Sequence, residues 1–146
     1  MTTTFSHLGI CVSDLERSLR FYCEALDFAP AESHAVGDEF GRLMELDGVV
    51  LRSQFVRRDA VAIELLHFTA PDQIGDGGRR PMNQLGLTHL SVRVDDVDAV
   101  AAAVERLGGT VVAGTRTTFA LSGASLDFVY CTDPYGVRIE LMNIPG

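Results

Sequence analysis

Ser6-His7-Leu8-Gly9-Ile10-Cys11-Val12-Ser13-Asp14-Leu15 returns 82 residues later as Thr88-His89-Leu90-Ser91-Val92-Arg93-Val94-Asp95-Asp96-Val97. His7 maps onto His89, Val12 onto Val94 and Asp14 onto Asp96. Each copy opens with period-two alternation. His7, Gly9 and Cys11 fall on one face and Leu8, Ile10 and Val12 on the other, which predicts a strand carrying the histidine. Ser13-Asp14-Leu15-Glu16 then has the form of a capping box opened by Ser13. Leu15, Leu19, Tyr22 and Leu26 follow on one helical face. In the second copy Asp95 and Asp98 stand at the places of Ser13 and Glu16, and Val97, Ala101 and Val104 at those of Leu15, Leu19 and Tyr22. Gly108-Gly109 is expected to stop that helix.

Each copy closes on the same tripeptide, Ile63-Glu64-Leu65 and Ile139-Glu140-Leu141. The helix and the tripeptide are separated by short strand-like runs. Asp47-Gly48 punctuates them in the first copy, Ser122-Gly123 and the turn Asp133-Pro134-Tyr135-Gly136 in the second. The pattern is β-α-β-β-β, twice. It predicts one α+β domain over residues 1–146, built of two βαβββ modules, 1–68 and 86–146, related by a pseudo-twofold and joined by 69–85. Within that joint, Thr69 to Gln84 is the one long irregular segment, a linker or a loop over a site.

At 146 residues, 47% hydrophobic and 22% charged, the chain can bury a proper core. A net charge of −8 argues against nucleic acid and against an anionic membrane surface as partners. No apolar run approaches the roughly 20 residues of a membrane helix. Met1-Thr2-Thr3-Thr4 lacks the parts of a signal peptide. Cys11, Cys23 and Cys131 form an odd set without ligand spacing and read as free thiols in a reducing cytoplasm.

The chemistry concentrates in His7, Glu64, His89 and Glu140. If the first and last strands of each module converge, these four face one interior point. The neighbours of the glutamates on their strand faces are Ala62 and Leu66, and Arg138 and Met142. A carboxylate in such a setting calls for a compensating charge. A divalent cation supplies it, and imidazole with carboxylate suits Zn, Ni, Co, Mn or Fe(II). Two further coordination positions on an octahedral ion would stay open, as a catalytic site needs. His67 has the opposite parity to Glu64, and His34 lies in a polar stretch. Neither is counted as a ligand.

These residues, with the closing Asp133-Pro134-Tyr135-Gly136-Val137-Arg138-Ile139-Glu140-Leu141, resemble the vicinal oxygen chelate superfamily of glyoxalase I, bleomycin-resistance proteins and extradiol dioxygenases. The resemblance spans nearly the whole chain. It implies paired βαβββ modules forming a cup-shaped mixed sheet around a divalent metal, a homodimer, and a small-molecule substrate. In some members the two modules of one site come from different chains. The four-residue ligand set is closest to that of bacterial glyoxalase I. It implies a lyase or isomerase that moves a proton alpha to a metal-chelated carbonyl, with Glu140 as main base, Glu64 as its symmetric partner, and Ni, Zn, Co or Mn as the ion. Two alternatives stay open: an extradiol-type dioxygenase with Fe(II), and a drug-sequestering protein of the bleomycin-resistance kind. Arginines are plentiful, but they do not compose a recognisable site for glutathione or another thiol cofactor.

Overall fold

The structure is a computed structural model and describes residues 1–121 and 123–144. It is a mixed α+β fold of two separate sheets with few helices. Contacts divide the chain into two compact units, Met1–Cys23 with Asp27–Ile74, and Gly75–Gly146 with Glu24–Leu26.

In the first unit the strands are β1 (Leu8–Cys11), β2 (Ala29–Val36), β3 (Val50–Arg58) and β4 (Val61–Ala70). Their order is β1-β4-β3-β2, with β1 parallel to β4 and the other pairs antiparallel. Alternation decides which face is buried. Ile63 and Leu65 on β4, Val56 on β3, and Ile10 and Val12 at β1 are all buried, whereas Glu64 and Leu66 are half-buried. The helix α1 (Leu15–Arg20) contacts β4 and buries Ser18. It runs on into a π turn at Phe21–Ala25. That wider winding presents Phe21 and Tyr22 together as fully buried side chains and leaves Leu15 and Leu19 half-buried.

The second unit repeats the plan. Its strands are β5 (Leu90–Arg93), β6 (Thr110–Val111), β7 (Thr117–Leu121), β8 (Ala124–Thr132) and β9 (Arg138–Asn143). The order is β5-β9-β8-β6, with β7 also on β8. Again the first strand runs parallel to the last. The helix between β5 and β6, Val97–Arg106, buries Val97 and Val104 and contacts β8 and β9. Gly108 at φ 90° follows it, in the left-handed region that glycine adopts without strain. The Ser122-Gly123 break falls between β7 and β8. Ser122 lies outside the described residues, and Gly123 has φ 83°.

Several expectations need correction. The helix caps lie one residue later than the capping-box reading placed them. Asp14 accepts from the Arg17 amide at 3.0 Å and Asp96 from the Ala99 amide at 2.9 Å, and a carboxylate cap also answers the positive end of the helix dipole. Each histidine sits just before its strand, because parallel pairing begins at Leu8 with Ile63 and at Leu90 with Ile139. Residues 38–44 form a 3-10 turn and a short helix, α2 (Gly41–Met44), in place of strand; with it numbered, Val97–Arg106 is α3. The second unit has four strands after α3 where three were expected. Its edge is split into β6 and β7 by a 3-10 turn at Ala113–Thr115.

Candidate metal centre

The first and last strands of each unit hold their glutamates in identical register. Glu64 pairs with Gly9 and Glu140 with Ser91, positions that correspond in the repeat. The ladders continue alike, with the Val12 amide on the Leu66 carbonyl and the Val94 amide on the Met142 carbonyl, both at 2.9 Å. This register brings each histidine to its own glutamate. His7 Nε2 lies 3.1 Å from Glu64 Oε2, and His89 Nε2 lies 3.7 Å from Glu140 Oε2. All four side chains are partly open to solvent, from 18% to 36% exposed. The structure therefore assembles two His–Glu pairs. Among the described residues no group of three or more His, Cys, Asp or Glu is close enough to hold a metal ion.

The surroundings of each pair are also duplicated. Ser6 Oγ meets His7 Nδ1 and Thr88 Oγ1 meets His89 Nδ1, each at 2.9 Å. A hydroxyl can donate or accept, so it can take the Nδ1–H and leave Nε2 with a free lone pair. That is the support a metal-binding imidazole needs. An aromatic ring stands edge-on to each imidazole: Phe55 to His7 at 5.2 Å and Tyr130 to His89 at 5.4 Å. These two rings occupy the positions opposite Glu64 and Glu140 in the antiparallel ladder. An arginine covers each ring, Arg57 over Phe55 and Arg138 over Tyr130. Paired imidazole and carboxylate with a hydroxyl behind each imidazole are a donor set that fits a divalent ion.

The carboxylates differ in who serves them. Ser53 Oγ on β3 donates to Glu64 at 2.5 Å. Ser91 Oγ on β5 donates to Glu140 at 2.8 Å. Burial, helped by the charge of Glu140 and a hydrogen bond to it, raises the Tyr130 phenol, with Arg138 opposing. Tyr130 is thus held as a neutral donor.

Neither Ser53, Phe55, Ser91 nor Tyr130 was singled out by the sequence reading. His67 does turn away from the pair and places Nδ1 3.2 Å from the Val12 carbonyl oxygen. His34 pairs with Ser53 across β2 and β3 and sets its ring 6.2 Å from Phe55, so it shares the face that carries Glu64. None of the three cysteines is in a disulfide. Cys11 is exposed, and Cys131 is buried with its thiol pushed up to about 12 by burial and then by Asp133. Among the described residues no helix is long and apolar enough to cross a membrane.

Comparison with known proteins agrees with this architecture. A 2-epi-5-epi-valiolone epimerase of an Actinomyces species is 30% identical over 146 aligned positions, covering 96% of this chain and 79% of the relative. A glyoxalase family protein from Bacillus cereus superposes with a TM-score of 0.85 at 21% identity, covering 100% of this chain and 97% of the other. Glyoxalase I from Zea mays gives 0.65 at 22% identity, covering 96% of this chain and 44% of that longer one. These two structural likenesses concern the fold. The profile of the Glyoxalase/Bleomycin resistance protein/Dioxygenase superfamily matches residues 4–141, and the chain belongs to that superfamily.

Proposed function

We propose that this protein is a metal-dependent enzyme of the lyase or isomerase type, which moves a proton alpha to a carbonyl of a small substrate. One observation carries the reading: the His–Glu pair occurs twice, in the same register, with a hydroxyl behind each imidazole. His7, Glu64, His89 and Glu140 are the proposed ligands of one divalent ion, Ni, Zn, Co or Mn. Each pair supplies two of the four. The reading includes a homodimer. The relative named as an epimerase favours the isomerase branch.

When bound, the ion supplies Lewis-acid polarisation of the substrate carbonyl. The rest falls to the chain. In this reading Glu140 removes the proton alpha to that carbonyl and Glu64 returns one, so that a proton leaves one face of the carbon and arrives at the other. Ser91 and Ser53 hold the two carboxylates in line. Tyr130 stays protonated beside Glu140 and steadies its charge.

The test is elemental analysis of protein purified without added metal or chelator, beside a His7→Ala, Glu140→Ala variant, with the mass in solution measured in parallel. Ni, Zn, Co or Mn present in the parent and absent from the variant supports the reading. Deuterium exchange alpha to the carbonyl of candidate ketones then follows by NMR. Iron, with catechol-dependent oxygen uptake, would replace the reading by a ring-cleaving dioxygenase. No metal uptake at all would replace it by a binding protein.

A further inference from the structure

The segment that joins the two repeats is pinned to the second unit at two points. The first is a contact of main chain on main chain. Gly77, at φ 65°, lies against Tyr135, and a Cβ there would stand 3.7 Å from the Tyr135 Cα. Gly136, at φ 83°, lies against the same stretch from the other side. A Cβ at Gly136 would run into the Gly77 carbonyl oxygen and stand 2.8 Å from that of Gly78. Only glycine allows both that approach and that φ. The turn beneath is itself held, because the buried Asp133 carboxylate accepts from the Tyr135 and Val137 amides at 2.8 and 2.9 Å. The second point is polar. Arg138 Nη2 donates to the Arg80 carbonyl at 2.7 Å. Arg80 in turn closes its own loop by donating to the Leu85 carbonyl at 2.8 Å.

The polar point leads into the candidate centre. The Arg138 guanidinium lies over the Tyr130 ring, 5.1 Å from its centroid. Tyr130 meets His89 edge-on at 5.4 Å, and its hydroxyl donates to Glu140. The Tyr130 main chain is already fixed by its pairing with Glu140 and by its amide on Thr115 Oγ1 at 2.9 Å. What the ladder leaves open is the rotation of the ring. A planar cation laid on its face narrows that rotation, provided the cation is itself held. The linker carbonyl holds it. The first unit anchors its covering arginine differently. Arg57 Nε and Nη2 donate to Glu32 at 3.2 and 3.1 Å, within one sheet. Its anchor is a side chain of β2, whereas that of Arg138 is the main chain of the linker.

We infer that Arg138 is a positioning residue, held by the linker at Arg80, which sets the Tyr130 ring against His89 and Glu140. Residues 77–80 are then a strap on the second half of the centre, and releasing the strap loosens the ring. The consequence for metal rests on the proposed function, but the ring placement does not, so the first readout uses metal-free protein. Tyrosine and histidine rings labelled with ¹³C are followed by NMR. Arg138→Met keeps the stem and removes the donors and the charge. It should shift the Tyr130 and His89 ring signals and leave in place that of Tyr22, which is buried in the first unit. Arg138→Lys can still donate to the carbonyl and lie over the ring, and should reverse part of the shift. Gly136→Ala leaves Arg138 intact but pushes the linker off the turn. Trypsin should then cut Arg79–Arg80 about tenfold faster, because cleavage follows the population of the opened strap. Arg80 precedes Pro81 and is not cut. The Tyr130 and His89 signals should move in the same direction as in Arg138→Met. A displaced Tyr22 signal in Gly136→Ala would mean that this variant has lost the fold, and the Arg138 variants then decide. Zinc titration by calorimetry follows, with an affinity about tenfold weaker in Arg138→Met, as loss of an orienting partner gives. Unmoved ring signals or parental zinc affinity in Arg138→Met would overturn the inference. So would a folded Gly136→Ala with unchanged cleavage, or with faster cleavage and both signals in place. Ring signals that move in a protein that takes up no zinc would keep the strap and sink the metal reading.

Discussion

The two sheets present the same carboxylate in the same register and then support it from opposite sides. In the first unit Glu64 takes its hydrogen bond from Ser53 on β3, and the β1 position opposite it is Gly9. In the second unit that β5 position is Ser91, which now donates to Glu140, and Phe128 stands two residues before Tyr130 where Ser53 stands two before Phe55. The covering arginine changes strand as well, from Arg57 on β3 to Arg138 on β9. The lesson is that the backbone ladder fixes where the two carboxylates lie, while their hydrogen-bond donors sit on different neighbouring strands. Moving the donor to β5 frees the β8 position for an aromatic, Phe128, which lines a pocket beside Glu140.

The largest expected effect tests what the two units share. His7→Ala and His89→Ala should each abolish retention of the metal, from about one ion per four-ligand site to none by elemental analysis, because each removes a ligand that the other pair cannot replace. Retention in one of the two would break the equivalence. Next comes the carboxylate asymmetry. Glu140→Gln should lower kcat by about 10²–10⁴ with KM little changed, the range a lost general base produces. Glu64→Gln should cost less, and equal losses would erase the proposed division between the two.

The donor exchange can be engineered directly. Ser91→Ala should weaken metal affinity by about 10–100-fold, as loss of an orienting partner does. A Gly9→Ser, Ser53→Ala double variant of the first unit should lose much less. An added Cβ at Gly9 meets only Leu66 Cδ1, at 3.5 Å, so a serine there has room to take over. Failure of that rescue, read by isothermal titration with Zn, would show that the donor's strand matters and not only its presence. Tyr130→Phe copies the first unit's ring into the second. It should lower kcat by about fivefold, the worth of one hydrogen bond near 1 kcal/mol. The smallest effect concerns the thiols. Both Cys11 and Cys131 have pKa values raised by burial, so at pH 8 each carries less thiolate than a free cysteine. Exposed Cys11 should react slowly with a thiol reagent and Cys131 only after unfolding, as mass spectrometry of labelled protein would show.

The repeat, the helix that opens each copy, and the placement of Glu64 and Glu140 on strands with His7 and His89 beside them were legible, because each follows from a short local pattern at a constant spacing; the parallel pairing of the first and last strands was not. Ser53, Phe55, Ser91 and Tyr130 were not. Ser91 stood inside the repeat but opposite a glycine, so its role had no counterpart to betray it. Phe55 and Tyr130 lie nine and ten residues before their glutamates, across hairpins of different length. A two-residue turn at Asp59-Ala60 closes one and the Asp133–Gly136 turn the other, and that one-residue slip hides the match. Counting back from each glutamate along an alternating run would have found both aromatics. The helical excursion at 38–44 was missed for a different reason. Its apolar residues Phe40 and Leu43 are exposed, so they mark no buried face. It is tied down instead by Asp38, which accepts from the Val49 amide at 3.0 Å.

Every strand pairs within its own sheet, β1 to β4 in one and β5 to β9 in the other. A gene encoding either half alone would thus specify a sheet with no missing neighbour, together with the helix that covers it. It would also encode two of the four candidate ligands, so two identical short chains could have met around an ion before any fusion joined them. The two halves are not bound to be the same: the serine that serves the glutamate stands on β3 in one and β5 in the other, and the ring opposite it is Phe55 in one and Tyr130 in the other.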